Sequence, residues 1–371
     1  MKFNVSSNDL NEGLSAVIGA VPAKATLPIL ETILFESEDG RLKLTATDLE
    51  ISIVEYIDAD IEEDGAVAIP ARRLLETLRQ LPNIPVFFEV DESLHVEFKT
   101  DKGKYKLVGE EADEFPEIPN MTKGISLSTE TALVKNAIGK TMFAVSTDDL
   151  RPAMMGVYFD IGTDSSRFVA TDGHRLVRYK NSNFTSEDPL TFIVPDKALH
   201  LVSKALDGTD CELIVSDDHV QFKSGSTIVI TRLINEQYPN YESVIPRDND
   251  KFLIIDKNQM LATVRRVSVF SSSTTRQIRL QIEKDKLTIR AEDLDMSSEA
   301  KETIACEYSD EEMEIGFNAK YLADILSNVD GDEAKFEFST PNRAGIVKPL
   351  IAEEGEEMLM LVMPVMLNTY A

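Results

Sequence analysis

The segment Thr171-Asp172-Gly173-His174 sets a carboxylate two residues from an imidazole, a pair able to move protons in general acid–base catalysis. The same four residues also read as an Asp-Gly turn between two strands. Related turns around Asp48 and Asp293 carry no histidine, which favours the turn. The other histidines are scattered: His95 alternates along a strand, His200 lies on a helix, and His219 stands apart from both. Cys211 and Cys306 are far apart and form neither a redox nor a metal-ligand motif. No Gly-x-Gly-x-x-Gly, P-loop or Gly-x-Ser-x-Gly signature appears. The expectation is a protein with no catalytic residues, no metal and no cofactor.

Charge is the next constraint. The chain has 371 residues and a formal net charge of -27, with the acid spread along its length. So acidic a protein is repelled by phosphate polyanions taken as a whole, so any nucleic-acid role depends on where the bases sit. No apolar run approaches the ~20 residues of a membrane-spanning helix. The amino terminus, MKFNVSSNDL, lacks the apolar stretch and small-residue site of a secretion signal. With its unpaired cysteines, the chain is expected in the cytoplasm and off the membrane.

Stepping through the elements exposes a threefold repeat. A strand ends in Thr-Asp or Glu-Asp at KLTATDLE (Asp48), RFVATDGH (Asp172) and LTIRAEDLD (Asp293). A helix then starts after Pro70, Pro195 and Asn318, at spacings of 22, 23 and 25 residues. An aromatic or Met before Pro follows at Phe115-Pro116, Tyr238-Pro239 and Met363-Pro364, 46, 44 and 46 residues further on. Each copy reads as helix, strands, helix, strands, an α+β fold built of antiparallel sheets. Boundaries fall to give domains at 1–123, 124–247 and 248–371, joined by polar, Pro-bearing linkers.

The periodicity predicts helices over 8–20, 71–82, 129–142, 196–207, 256–268 and 319–329. They carry eleven Lys and Arg against eight Asp and Glu, the one compartment of the chain that is not negative. Arg72, Lys197 and Lys320 share one position, two residues after the aligned Pro, Pro and Asn. A cation in a helix's first turn opposes the macrodipole at about 0.3–1 kcal/mol, so three such placements suggest a phosphate contact. Six helices at ~10 Å spacing would line a hole too small for a duplex, whereas twelve leave about 28 Å clear. A ring of this chain around DNA therefore needs two copies.

The residues TLPIL at 26–30, ATDGHRL at 170–176, EMEIGFNAKYL at 312–322 and VMPVML at 362–367, with the length and triplication, are similar to those of the bacterial DNA polymerase III beta subunit family, the sliding clamps. The resemblance spans essentially the whole chain. It implies three tandem clamp-type domains with helices lining an inner face and antiparallel sheets outside, closed as a head-to-tail homodimeric ring. The implied role is a non-catalytic processivity factor in DNA replication that encircles double-stranded DNA without reading its sequence. The implied partners are the replicative polymerase catalytic subunit, the clamp loader and other clamp-motif proteins.

The resemblance also implies site residues. A partner-peptide pocket would use Met154, Thr171, Gly173, His174, Arg175, Leu176, Pro239, Val244, Asn318, Tyr321, Val362, Met363, Pro364, Val365 and Leu367. Lys24, Arg72, Arg73, Arg151 and Lys197 would face DNA, and Tyr105 and Leu107 would meet Val269 and Phe270 of a second copy. The family pattern is broken at Ser243, Thr275 and Met366, and residues 368–371 extend past its usual end. A second reading is a repeat scaffold that binds proteins and never encircles DNA; the net charge favours it and the aligned cations oppose it.

Overall fold

The computed structural model describes residues 1–367. Its six α-helices among those residues are α1 (Ser7–Val17), α2 (Ala71–Leu78), α3 (Thr131–Thr141), α4 (Asp196–Ala205), α5 (Lys257–Ser268) and α6 (Ala319–Asn328). All six expected helices form, and their ends differ. The stretch expected to run to residue 20 passes into a 3-10 turn at Ile18–Ala20. The second helix stops at Leu78, where Gln80 and Leu81 donate to carbonyls three residues back and Pro82 follows. Residues 129 and 130 belong to the strand Ile125–Glu130, which pairs with Asp210–Val215, so α3 starts later than its periodicity suggests. Ser6, Asp256 and Asn318 cap α1, α5 and α6 through their side chains, whereas Pro70 and Pro195 precede α2 and α4 with no side-chain cap. No helix of the described residues is long and apolar enough to cross a membrane.

The chain divides into two compact units that cut across the repeat. One comprises residues 1–138 and 194–234, the other residues 139–193 together with 235 onward, so the middle third contributes to both. In the first unit a five-stranded sheet runs in the order Asp60–Glu63, Lys2–Ser6, Pro85–Val90, His95–Lys99, Lys104–Val108. Phe3, Phe88 and Phe98 stack across it at 4.8 and 5.2 Å, all fully buried. An eight-stranded sheet in the same unit joins two repeats: Thr227–Arg232 of the second pairs antiparallel with Ile51–Ile57 of the first.

The second unit repeats that device. Its eight-stranded sheet joins Arg175–Asn181 antiparallel to Glu356–Val362, in register from Arg175 opposite Val362 to Asn181 opposite Glu356. Its four-stranded sheet runs Ser298–Ala305, Lys286–Asp293, Gln277–Glu283, Met313–Asn318. Among the edge strands of these sheets are Lys104–Val108 in the first unit and Ser298–Ala305 in the second. Both lie at the positions where the other copies of the repeat find a partner.

The two joined seams differ chemically. At the first, the Glu55 carboxylate is buried on Ile51–Ile57 and accepts hydrogen bonds from Ser226 Oγ and Thr227 Oγ1, both at 2.5 Å. At the second, Glu356 accepts from Tyr179 Oη at 2.6 Å and pairs with Lys140, which also meets Asp330. Burial pushes the Glu55 carboxyl above the usual glutamate range, outweighing the two hydroxyl donors, and nearby Asp207 adds to the rise. A carboxyl whose folded value is raised stabilises the fold below the ordinary glutamate range and loses that contribution as pH rises through its folded value. Glu55→Gln is therefore expected to unfold at higher temperature than the parent at neutral pH, with the gap closing toward acid pH. Thermal unfolding followed across that pH range checks it, and a constant gap would contradict the burial of an ionising group.

Candidate functional site

The turn at residues 171–175 is built by its own side chains. Thr171 Oγ1 donates to the Arg175 carbonyl and accepts from the Gly173 amide, while Asp172 Oδ1 accepts from the His174 and Arg175 amides at 2.9 and 3.0 Å. With one oxygen taken up by the backbone and the other by Arg175 Nε at 3.1 Å, Asp172 is committed to the turn. Its sequence counterpart shows the same bonds: Thr47 Oγ1 accepts from Leu49, and Asp48 Oδ1 from Glu50 and Ile51. The left-handed residue is Gly173 at φ +86° in one turn and Leu49 at φ +78° in the other. The glycine matters here for space as well. A Cβ on Gly173 would stand 2.7 Å from the Arg151 guanidinium.

Behind the turn, Arg175 is almost wholly buried and fully engaged. It reaches Asp324 Oδ2 on α6 at 2.5 Å and donates to the Phe143 carbonyl at 2.7 Å. Its guanidinium lies 5.0 Å over the Tyr321 ring and 5.6 Å over Phe143. His174 stacks on the same Tyr321 at 5.5 Å, so the turn and the start of α6 form one joint.

In front of the turn lies a cavity of about 750 Å³. Met154, Thr171, Gly173, Arg175, Leu176, Pro239, Val244 and Met363, eight of the fifteen residues expected to form a pocket, line it. The other seven do not line it. Val362 is buried opposite Arg175 in the sheet, and Met363 donates its amide to the His174 carbonyl. Val365 donates to the Gly316 carbonyl, and a Cβ on Gly316 would meet Leu367 at 2.6 Å. Pro364 is half-buried between those two anchor points. Asn318 caps α6 and donates to the Thr275 carbonyl. The expected extension at residues 368–371 lies outside the described residues.

Pro239 and Val244 belong to a longer cavity wall, most of which was not expected in the pocket. Residues 240–248 and 342–344 line it, with Tyr241, Ile245, Pro246 and Ala344 supplying apolar surface and Leu361 the floor. The prolines at 239 and 246 mark an irregular segment, but no periodic signal extends the expected Pro239 and Val244 to their neighbours. At Ser243 a hydroxyl donates to the Asn240 carbonyl and helps shape that wall.

The expected DNA-facing cations fall into separate settings. Lys24 is exposed in the loop after α1, and Arg72, exposed on α2, donates to the Pro22 carbonyl in that same loop at 3.3 Å. Arg73 is exposed beside it. Lys197 on α4 pairs with Asp48, so the first-turn cations of α2 and α4 both have a partner within the protein. Arg151 meets Asp148 at 2.9 Å and the Asp172 carbonyl at 3.1 Å, which brings it to the pocket turn. Tyr105 and Leu107 lie on the edge strand Lys104–Val108, and Val269 and Phe270 follow α5, 78% and 41% exposed.

A tandem repeat of helices and antiparallel sheets, sewn at two seams by strand pairing and carrying a cavity of about 750 Å³, defines a clamp-type architecture. Models of the DNA polymerase III beta subunit match the chain throughout: the N-terminal domain at residues 1–119, the central domain at 128–240 and the C-terminal domain at 242–365. The beta sliding clamp of Synechococcus elongatus is 30% identical over 379 residues, covering 100% of both chains. That of Pseudomonas aeruginosa is 29% identical, covering 99% of this chain and 100% of its own. Among solved structures, a Pseudomonas aeruginosa sliding clamp with ligand aligns at TM-score 0.93 and 28% identity, covering 99% of this chain and 100% of its own. A Bartonella birtlesii clamp bound to griselimycin aligns at TM-score 0.92 and 30% identity, with the same coverage. The chain belongs to the DNA polymerase III beta subunit family, the beta sliding clamps.

Arg175 ties the turn, α6 and the cavity together, so its removal strands Asp172 and Asp324. Arg175→Ala is expected to cost about 3 kcal/mol, the usual scale for breaking a buried pair from one side. Arg175→Lys should restore only part of it, because an ammonium cannot serve both carboxylates and a carbonyl in one plane. Urea unfolding of the three proteins checks this; equal midpoints would contradict the strut.

Proposed function

We propose that two copies of this chain close head to tail into a ring around duplex DNA and that the cavity beside Gly173 takes short peptides from replication proteins. The observation that carries this reading is the pair of free sheet edges. Two of three equivalent seams are sewn within the chain, between Ile51–Ile57 and Thr227–Arg232 and between Arg175–Asn181 and Glu356–Val362. The third pair, Lys104–Val108 and Ser298–Ala305, stands open at both strands. An open edge invites another strand, and two copies related head to tail pair both strands of this third seam at once.

Side chains near those edges support the pairing. Tyr105 and Leu107 are half-buried on one edge strand, and Val269 and Phe270 after α5 are exposed, apolar surface suited to the core of an interface. Lys104, Lys99 and Lys106 crowd around Glu97 and hold its carboxyl down to about 2, so the first edge is locally basic. The second edge carries Glu299 and Glu302. The family matches at 1–119, 128–240 and 242–365 support three clamp domains with boundaries near 123 and 247.

On this reading Lys24, Arg72, Arg73, Lys197 and Arg151 face the duplex, and the sheets face outward. Few phosphates are neutralised against a charge of -27, so retention rests on encirclement and not on affinity. The ring performs no chemistry of its own. It acts in the cytoplasm and holds the replicative polymerase, the clamp loader and other peptide-bearing partners beside DNA. The scaffold alternative offers no account of the open edges.

Sedimentation should give a particle of about twice the 41.3 kDa chain mass, and Phe270→Arg should give monomers by placing an unpaired charge in an apolar contact. A parent protein that is monomeric at micromolar concentration would contradict the ring. Deletion from Met363 onward should abolish binding of a glutamine- and leucine-bearing polymerase peptide in calorimetry while the dimer persists. Unchanged peptide affinity would mean that the cavity is not the docking site.

A further inference from the structure

The cavity is apolar in its walls but not neutral. Three arginines line it against two carboxylates. Arg175 is buried and spent on Asp172, Asp324 and a carbonyl. Glu242 is held by Arg178 at 3.0 Å, and Asp248 by Arg343 at 2.5 Å. Arg247 is left: it is exposed at the cavity wall, next to the Ile245-Pro246 surface, and makes no recorded ion pair or hydrogen bond among the described residues. An uncompensated cation at an apolar groove, in a chain of net charge -27, is a point of charge complementarity for an incoming anion.

We infer that the peptide this cavity accepts carries a carboxylate beside its apolar anchors and that Arg247 receives it. The inference rests on the peptide reading above and adds a specificity element to it. A guanidinium presents a planar fork that matches a carboxylate, and the apolar wall around it lowers the water competing for that contact. Neighbouring Asp248 does not supply the counter-charge because Arg343 holds it. The carboxylate has two possible sources in a peptide, an acidic side chain or the free carboxy terminus, and both offer the same group.

Calorimetry on the intact protein with three synthetic peptides separates these cases. All share the same pair of leucine anchors; one carries an internal glutamate and an amidated end, one a glutamine and an amidated end, and one a glutamine and a free carboxy terminus. The expected result is that at least one carboxylate peptide binds about three- to tenfold more tightly than the neutral one at low salt, with the advantage shrinking at high salt. Which of the two gains identifies the source. Arg247→Gln should bring the affinity ratio to one, and Arg247→Glu should invert it for a peptide with lysine in place of the glutamate. Equal affinities for the parent protein, or a preference that survives Arg247→Gln, would overturn the inference and leave the docking site standing. Binding of none of the peptides would overturn the docking site and the inference together.

Discussion

Backbone amides and carbonyls at a sheet edge must find partners, and that single constraint organises the molecule. The last strands of the second and third repeats hydrogen-bond to the repeat before them, so each of these two seams is a continuous sheet and not a docked surface. A seam of this kind fixes register as well as adjacency, because a one-residue slip would turn every buried side chain outward. The cavity depends on it directly. Its turn sits at the start of Arg175–Asn181, and its floor residue Leu361 belongs to the strand paired with it.

The repeats have kept the turn and changed what it carries. Thr47 and Asp48 make the same bonds as Thr171 and Asp172, yet Leu49 stands where Gly173 opens room for Arg151. A leucine at φ +78° is strained by about 1–2 kcal/mol. In the first repeat, Phe115 packs with Ile29 and Leu30, and Ile118 lies against that cluster. In the second repeat the corresponding linker turns Val244 and Ile245 toward the cavity instead. One architecture thus yields a filled core beside the first linker and an open cavity beside the second.

Much of this was legible in the sequence because it is local. The helix starts after Pro70, Pro195 and Asn318, the Asp-centred turns and the repeat itself depend on neighbours within a few residues, and all appear in the fold. The helix ends were less legible, since the strand Ile125–Glu130 takes residues 129 and 130 through pairing with a segment more than eighty residues away. The wall at 240–248 and 342–344 left no periodic signal; only the folded chain brings an irregular linker and a hairpin together. The aligned cations were visible by position, but Asp48 as the partner of Lys197 was not, because their contact spans 149 residues.

A closed ring makes retention on DNA a matter of topology, and this is where the account is most exposed. The direct measurement is to load the protein onto nicked circular duplex DNA with its clamp loader, isolate the complex, and cut the circle once at a restriction site. The account predicts that protein remains bound to the circle through a salt wash and leaves over the free ends after cutting. Equal retention before and after linearisation would contradict it, since a protein held by phosphate contacts alone has no means of sensing an end.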